Sequence, residues 1–462
     1  MGAPPDTTTT EPTVAAPAAP AAPTDVRGPH GARRPDARRR RVLFAVAAIA
    51  LIAAAFAIRL AYVGATPGMT LRDDGLDYDG HAVSIALTGR FSDTLAYGRP
   101  TAFRPPAFPY LLGGVYKVAG VARADVARRV AVARRTQVVI GTVLVAAIGL
   151  VAAQLFGGVV ALVALALAAV YVPLVTMSGS VMSEPLFVVV MLGSLSAAIA
   201  HRRSPHRLRW ALLAGLLAGL AILTRANALI LLLPLGLALW DRRPRWSARS
   251  LASPVAMVLV AVAAVAPWTL RNERVLHHVV PVTTQLGSAM AGTYNDDART
   301  DPERPASWRS LRRVGSYADI FRDVRRTNEA VMEQRLRHRA GRYALDHPTY
   351  VAVVAFWTTV RGLDLDGREW WRHTATTVSI RPAWADRGVY CFWLFAVLAV
   401  AGAFTAAARG APRFVWAFPA LMYVSVVFLV IETPRYRTPM DPFVVLLAAL
   451  ALVSVGRRVA RR

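Results

Sequence analysis

Four aspartates lie within seven residues of one another, just after the first long apolar segment of the chain. They are Asp73, Asp74, Asp77 and Asp79. Carboxylates at this spacing repel one another, which raises the pKa of some of them and suits them to accept a proton as general bases. The alternative is a solvated acidic loop, in which Asp73 or Asp74 caps the helix that we predict after Gly75.

Arginines form the second group of residues that could do chemistry. They stand at the ends of apolar segments or in the short turns between them: Arg59, Arg104, Arg225, Arg271, Arg435 and Arg437. A guanidinium near the lipid headgroups can bind a phosphate through two parallel hydrogen bonds. The alternative for each is a side chain that extends along the membrane surface towards water. Glu184 is the residue before another apolar segment. It is either a second functional acid near the aspartates or a negative charge that stabilises the N-terminus of the helix.

The elements that position these residues are apolar segments of 14–20 residues, close to the ~20 residues with which a helix crosses a bilayer. Ten segments of this kind recur: 42–58, 137–153, 159–177, 185–200, 210–223, 226–240, 254–268, 389–408, 414–431 and 439–455. They lack the alternation of a strand, and lipid admits only helices or closed barrels. Together with 55% hydrophobic residues, this predicts an all-α polytopic membrane protein with about ten transmembrane helices.

The charge distribution predicts the orientation of these helices. The net charge is +26, carried mainly by arginine blocks between the apolar segments, at 33–41, 201–209, 241–249 and 457–462. All four blocks are cytoplasmic if the piece 105–120 lies on the outer membrane surface as an interfacial helix and does not cross. Both termini are then cytoplasmic. The outer segments become 66–135, 178–184, 224–227, 271–388 and 432–437, which collects the acids and arginines on one face.

Several classes of function are disfavoured. The arginine blocks follow the positive-inside pattern, so we predict no nucleic-acid partner. Cys391 is the only cysteine, which excludes an intrachain disulfide and a thiolate metal cluster. No metalloprotease, phosphate-loop or dinucleotide-binding motif is present. The clustered acids and arginines suggest instead a reaction at the membrane surface, in which arginines hold a lipid phosphate and a carboxylate deprotonates a hydroxyl.

Five short motifs carry a family resemblance. They are Asp74 to Tyr78, Gly98 to Pro109, Ser183-Glu184-Pro185, Pro267-Trp268 with Arg271-Asn272, and Arg435-Tyr436-Arg437 with Pro439. In this order the chain resembles the GT-C superfamily of membrane glycosyltransferases. It is most similar to the bacterial branch related to protein O-mannosyltransferases and lipid A aminoarabinose transferases.

The resemblance implies a GT-C fold and an inverting displacement on the outer face of the cell membrane. The donor would be a sugar linked to polyprenyl phosphate, and the acceptor a hydroxyl of a cell-envelope glycan, lipid or protein. Asp74 has the spacing to Tyr78 of the family's catalytic aspartate, with Asp73 as its rival, and Glu184 matches the second acid. Gly75 stands where relatives often have another acid, which leaves a divalent cation, Mg²⁺ or Mn²⁺, open at this site.

The resemblance also implies a set of residues that bind the donor or acceptor. Beside the catalytic Asp74 and Glu184, this set comprises Asp73, Tyr78, Arg59, Arg104, Arg225, Arg271, Asn272, Arg435, Tyr436 and Arg437. A non-enzymatic transporter of lipid-linked glycan precursors is the alternative function. It is disfavoured because the middles of the apolar segments are nearly pure Ala, Val and Leu.

The predicted organisation has five parts. They are a disordered cytoplasmic tail (1–41), a GT-C transmembrane module (42–270) with its first outer loop (64–135), an extracytoplasmic loop region (271–388), C-terminal transmembrane helices (389–456) and a cytoplasmic tail (457–462).

Overall fold

The apolar segments form α-helices, as their lack of strand alternation predicts. The structure, a computed structural model, describes residues 1–2, 34–93, 98–241, 247–322, 326–429 and 434–461. In these ranges the α-helices are α1 Arg34–Ala65, α2 Asp74–Thr88, α3 Ala107–Val118, α4 Val126–Phe156, α5 Gly158–Val170, α6 Val172–Met177, α7 Glu184–His201, α8 Arg207–Thr224, α9 Leu232–Leu239, α10 Ala248–Leu276, α11 Gln285–Thr293, α12 Asp296–Thr300, α13 Ala318–Arg322, α14 Glu329–Asp346, α15 Pro348–Gly362, α16 Arg368–Thr377, α17 Pro382–Ala403, α18 Ala406–Gly410, α19 Arg413–Val427 and α20 Asp441–Val459.

Seven helices in the described residues are long and apolar enough to cross a membrane. They are α1 from Arg38 onwards, α4, α7, α8, α10, α17 and α20. Three shorter apolar helices are Gly158–Val170, Ala226–Leu239 and Arg413–Val427. The seven candidate spans and the three shorter apolar helices make ten in the described residues, and the predicted all-α polytopic fold is confirmed.

Two of the predicted continuous segments are broken. The segment 159–177 divides into α5 and α6 at Tyr171, because Pro173 in the first turn of α6 has no N–H to continue the hydrogen bonding of α5. The segment 226–240 starts as the 3₁₀ helix Ala226–Leu231 before α9. Short breaks of this kind let polar backbone face protein within a membrane-spanning layer.

Some predicted boundaries were wrong. Helix α1 already begins at Arg34, so residues 34–41 of the predicted disordered tail are helical. Residues 3–33 of that tail lie outside the described residues. Helix α10 continues through Arg271 to Leu276, α17 begins before residue 389, and α20 includes the first residues of the predicted tail 457–462. Arginine is a good helix former, so charge did not end these helices.

The first outer loop contains α2, α3 and a two-stranded antiparallel hairpin, β1 Ser92–Asp93 and β2 Arg99–Pro100. Helix α3 is the short helix predicted at 105–120, and its apolar face packs Phe108, Leu112 and Tyr116 against α2. The two helices approach closely at Gly113, where an added Cβ would lie 2.9 Å from Ile85 Cβ.

The region predicted as one long polar loop, 271–388, contains six helices, α11 to α16, and its own apolar core. Tyr294, Tyr317, Leu336, Tyr350 and Val354 lie at the centre of this core. The predicted helix at 319–345 corresponds to α13 and α14, with 323–325 outside the described residues. Everything described below lies within Val46–Arg462, which forms one compact unit.

Candidate active site

The first acidic pair belongs to the start of α2. Asp74 and Asp77 are three residues apart and so share one face of the helix. Arg104 lies three residues before α3 begins, and its side chain reaches both carboxylates: its Nη2 is 2.5 Å from Asp74 Oδ1 and 2.6 Å from Asp77 Oδ2. Arg104 is 7% exposed in its side chain, so these are largely buried ion pairs.

A second guanidinium reaches Asp74 from the other end of the chain. Arg435, in the 3₁₀ helix Pro434–Arg437, has Nη1 2.6 Å from Asp74 Oδ2 and Nε 3.8 Å from Glu184 Oε1. Arg225 Nη1 lies 2.7 Å from the same Glu184 oxygen. Three arginines and three acids therefore form one continuous cluster, called here the acid–arginine cluster: Asp74, Asp77, Arg104, Glu184, Arg225 and Arg435.

The cluster keeps polar atoms without hydrogen-bond partners. Glu184 is 1% exposed, and its Oε2 accepts no hydrogen bond. The Nε of Arg435 also donates none, and it lies 3.8 Å from Glu184 Oε1. Buried polar groups are nearly always hydrogen-bonded in folded proteins, so orphaned atoms on opposite charges identify a place suited to a polar ligand.

The electrostatics fix the charge of Asp74. Burial raises the pKa of this carboxyl, but Arg104 and Arg435 outweigh it and hold the pKa well below its usual range. Burial works against the charge of Arg435, and Asp74, Tyr436 and Glu184 more than compensate, so the pKa of Arg435 is raised. Asp74 is thus an anion at neutral pH, but one whose two oxygens both face guanidinium groups.

Two tyrosines position the cluster. Tyr78, one turn after Asp74, donates from its hydroxyl to Ser183 Oγ at 3.0 Å and so joins α2 to the residue before Glu184. Burial raises the pKa of Tyr78, which keeps it a hydrogen-bond donor. The Tyr436 ring contacts two guanidiniums, with Arg435 and Arg225 at 4.8 and 5.1 Å from its centroid.

Asp73 lies next to the cluster but takes no part in it. It occupies the N-cap position of α2 with φ 42°, its side chain makes no capping hydrogen bond, and it is exposed. The predicted cap is therefore wrong for Asp73, and Asp74 belongs to the helix. A positive φ at a non-glycine residue is strained, and strain of this kind concentrates beside functional groups.

Arg59 is separate from the cluster. It is fully buried and donates to Ala55 O, Ala168 O and Ser178 Oγ, all neutral groups. Its surroundings are tightly packed, because a Cβ added at Gly141 would meet Ser178 Oγ at 2.0 Å. These contacts make Arg59 a link between α1 and the α5–α6 segment.

Arg271 and Asn272 also have other partners. Arg271 donates to Thr101 O at 2.6 Å and to Phe91 O at 2.5 Å, and its guanidinium lies 4.7 Å from the Trp268 ring centroid. Asn272 donates to Val280 O at 2.9 Å. Both therefore support backbone segments, and Arg271 holds the segment that leads to Arg104.

Arg437 binds a second pair of acids. Its Nη1 lies 2.6 Å from Asp364 Oδ2 and its Nε 3.2 Å from Asp441 Oδ1, while Tyr171 donates to Asp441 at 3.1 Å. Only the spacing of four residues between Arg437 and Asp441 could have been read from the sequence. Nothing in the sequence signals Asp364.

Glu329 is a further residue that the sequence did not reveal. From the first turn of α14 it accepts hydrogen bonds from Thr101 Oγ1 at 2.6 Å and from Ala102 N at 3.1 Å. Thr284 Oγ1 donates to it as well. The region 271–388 thereby holds the backbone that carries Arg104.

The residues of the cluster do not fit a divalent cation. No three His, Cys, Asp or Glu side chains in the described ranges are grouped to bind one. Asp74, Asp77 and Glu184 each face a guanidinium at 2.7 Å or less, so a cation would have to displace these arginines from the carboxylates.

A narrow cleft leads away from Arg435. Its volume is about 50 Å³, and apolar side chains dominate its wall, including Met177, Trp371, Trp384 and Val389. Arg435, Arg437, Asp364 and Asp441 line it as well. A cleft with apolar walls and a few charged side chains suits a ligand that has an apolar part and a polar part.

The chain is a polytopic helical membrane protein, and comparison with known proteins supports its resemblance to the GT-C superfamily. The sequence model of the dolichyl-phosphate-mannose-protein mannosyltransferase family matches residues 103–270. This range includes Arg104, Glu184 and Arg225. No curated protein matches the chain in sequence.

Solved structures match over most of the chain. The Archaeoglobus fulgidus oligosaccharyltransferase with a tethered acceptor peptide aligns with TM-score 0.53 and 13% identity over 89% of this chain and 50% of that one. AglB from the same organism, in complex with an inhibitory peptide and a dolichol-phosphate, gives 0.53 and 14% over the same shares. ArnT from Cupriavidus metallidurans bound to undecaprenyl phosphate gives 0.37 and 16% over 91% and 78%.

The resemblance to the GT-C superfamily is thus confirmed by the family match and by the fold. The chain spans about half the length of the archaeal oligosaccharyltransferase chains.

Proposed function

We propose that this protein is a membrane glycosyltransferase that moves a sugar from a polyprenyl-phosphate donor to a hydroxyl group of a cell-envelope acceptor. The observation that carries the proposal is the position of Arg435 between Asp74 and Glu184, with polar atoms left unpartnered on both Arg435 and Glu184. The family match names a dolichyl-phosphate sugar donor, and AglB, with the same fold, was solved with a dolichol-phosphate.

The donor phosphate is bound by Arg435 and Arg104 in this proposal. Both guanidiniums are already held at one carboxylate, with Nη atoms 2.6 and 2.5 Å from Asp74. A phosphate between them gives each arginine a second anionic partner, which weakens its hold on Asp74. The carboxylate then becomes a stronger base as the donor binds.

The displacement takes place in one step. The acceptor oxygen attacks the anomeric carbon on the side opposite the phosphate, and its proton passes to an Asp74 oxygen. The bond between the anomeric carbon and the phosphate oxygen breaks, and its electron pair leaves with the polyprenyl phosphate. Arg435 stabilises the charge that develops on this phosphate, and Glu184 orients the acceptor.

Replacing Asp74 tests the proposal. We expect Asp74→Asn to lower kcat about 100-fold or more, the usual contribution of a general base. The variant should stay folded, as checked by thermal unfolding, because Arg104 keeps its pair with Asp77. The assay uses protein in lipid nanodiscs with a panel of undecaprenyl-phosphate sugars and cell-envelope acceptors.

Asp73→Asn is the matched control, because Asp73 is the adjacent acid, is exposed and has no capping hydrogen bond. Its kcat should stay within about twofold of wild type, as surface substitutions usually have small effects. Full transfer by Asp74→Asn would refute its role as the base. Absence of both transfer and donor hydrolysis, with movement of lipid-linked glycan between leaflets, would favour the transporter.

The orientation is part of the same proposal: both termini face the cytoplasm, and the cluster and the region 271–388 face outwards. The arginine blocks support it. Single cysteines placed at Arg207 and Asp297, both exposed, test it in a Cys391→Ser background. A membrane-impermeant maleimide should label Asp297→Cys in intact cells and Arg207→Cys only after permeabilisation. The reverse pattern would refute the orientation.

A further inference from the structure

A second polar pocket lies outside the acid–arginine cluster. It has a volume of about 240 Å³ and is formed where three parts of the chain meet. Tyr62 and Thr66 come from the end of α1, Arg134 from α4, and Arg72 and Arg381 from the segments that lead into α2 and α17.

The charge of this pocket is uncompensated. Three arginines line it, and no aspartate or glutamate does. Arg134 is 4% exposed and donates only to neutral oxygens, among them Gly179 O at 2.9 Å and Thr66 O at 2.6 Å. Arg381 is exposed and donates to Pro67 O at 2.6 Å, and Arg72 is exposed and makes no ion pair in the described ranges.

This composition differs from that of the acid–arginine cluster. In the acid–arginine cluster each guanidinium faces a carboxylate, and so does Arg437. A buried guanidinium without a counter-charge is costly, and two further positive charges at the same pocket add to that cost. An anion of matching size would remove it.

The pocket lies at the ends of two candidate membrane spans. Helix α1 ends at Ala65 and α17 begins at Pro382, and both are candidate membrane spans, so Thr66 and Arg381 are at the ends of spans. A basic pocket between the ends of transmembrane helices suits an anionic headgroup by its charge. Arginine forks match the oxygens of a phosphate in particular.

We propose that the pocket formed by Arg72, Arg134 and Arg381 binds a phosphate group, carried by an anionic membrane lipid. The site is distinct from the acid–arginine cluster and does not rest on the glycosyltransferase proposal. The phosphate takes hydrogen bonds from the two exposed arginines, and the buried Arg134 supplies fixed positive charge. Occupancy links α1, α4 and α17 on one membrane face.

Binding of defined probes to delipidated full-length protein in detergent tests this site. The probes are dioctanoyl phosphatidylglycerol, dioctanoyl phosphatidylcholine and inorganic phosphate, each titrated by calorimetry. The variant is Arg72→Gln with Arg381→Gln, which leaves the buried Arg134 in place and spares the fold. The matched control is Arg123→Gln with Arg128→Gln, two exposed arginines with the same loss of charge.

We expect wild type to bind phosphatidylglycerol more tightly than phosphatidylcholine. The double variant should weaken phosphatidylglycerol binding about tenfold or more, and the control less than about twofold, since a hydrogen bond to a charged group exceeds 1.4 kcal/mol. Equally arginine-dependent binding of inorganic phosphate would support the site with free phosphate as its source. Equal losses in variant and control, no preference for phosphatidylglycerol, or no binding of any probe would overturn the proposal.

Discussion

Arg435 and Arg437 are two residues apart in the same 3₁₀ helix, yet they have different surroundings. Arg435 shares Asp74 with Arg104 and leaves its Nε without a hydrogen-bond acceptor. Arg437 is satisfied by protein: it binds Asp364, Asp441 and the carbonyl of Gly362.

This difference separates a ligand site from a structural ion pair. Both arginines carry the same charge at similar burial, with side chains 14% and 7% exposed, so neither type nor burial distinguishes them. The balance of donors and acceptors does. A guanidinium whose N–H groups donate to protein acceptors stabilises the fold. A charged pair that keeps polar atoms without hydrogen-bond partners can bind a substrate through those atoms.

The largest expected effect comes from Arg437→Gln. It leaves Asp364 and Asp441 buried without their guanidinium, which should lower the free energy of unfolding by about 3–5 kcal/mol. Denaturant titration in micelles measures this. Arg339→Gln is the control, because Arg339 forms an exposed pair with Asp319 and should cost less than about 1 kcal/mol. If Arg437→Gln is as stable as wild type, the ion pairs of Arg437 do not stabilise the fold.

Arg435→Gln should have the next largest effect, mainly on activity, because Asp74 keeps Arg104 and Glu184 keeps Arg225 as partners. Loss of a group that stabilises charge in the transition state typically costs about 2.7–4 kcal/mol, or 100- to 1,000-fold in kcat. The transfer assay measures it, with thermal unfolding of the same sample as the control. Arg435→Lys should recover part of the rate, because lysine restores the positive charge but cannot form two parallel hydrogen bonds to a phosphate. A loss in kcat below about tenfold for Arg435→Gln would remove Arg435 from the site.

The smallest effect concerns Asp366, two residues after Asp364. Neither carboxyl oxygen of Asp366 has a hydrogen-bond partner, and burial raises its pKa to about 7. Its usual value is about 4, so the folded state retains the proton more strongly than the unfolded state. The contribution of Asp366 to stability is therefore complete below about pH 4 and is lost as the pH rises towards 7.

Asp366→Asn removes this dependence. Between pH 5 and pH 8, the unfolding temperature of wild type should fall more than that of Asp366→Asn. The difference between the two unfolding temperatures is the measured quantity. Asp297→Asn, at an exposed position, should follow wild type at every pH. Parallel curves for wild type and Asp366→Asn would contradict the raised pKa.

Much of the fold and part of the site follow from the sequence. Apolar segments of membrane length predicted the ten helices. The helix in 105–120 has 12 residues and is not among the candidate membrane spans of the described residues. The ends of helices on one face must meet, which is why Asp74, Glu184 and Arg435 could be grouped before the structure was known.

What the sequence could not supply was the pairing of charges across long separations. Arg437 and Arg435 look alike in the sequence, and only the position of Asp364, 73 residues away, makes Arg437 structural. Glu329 is one of many charges on α14, and its contact with Thr101 depends on how the region 271–388 packs. Arg59 and Arg271 had the right type and location for a phosphate, but backbone carbonyls use their donors.

The buried Arg59 has a consequence for how the protein is made. Its partner Ala168 lies 109 residues later in the chain, and Ser178 later still. At the usual 5–20 residues per second, α1 is synthesised roughly 5–20 s before these partners exist. During that interval the guanidinium remains at the membrane surface, where a charge near a helix end is tolerated. The final packing of α1 is therefore a late event in biogenesis, because Arg59 becomes buried only when α5 and α6 enter the bilayer.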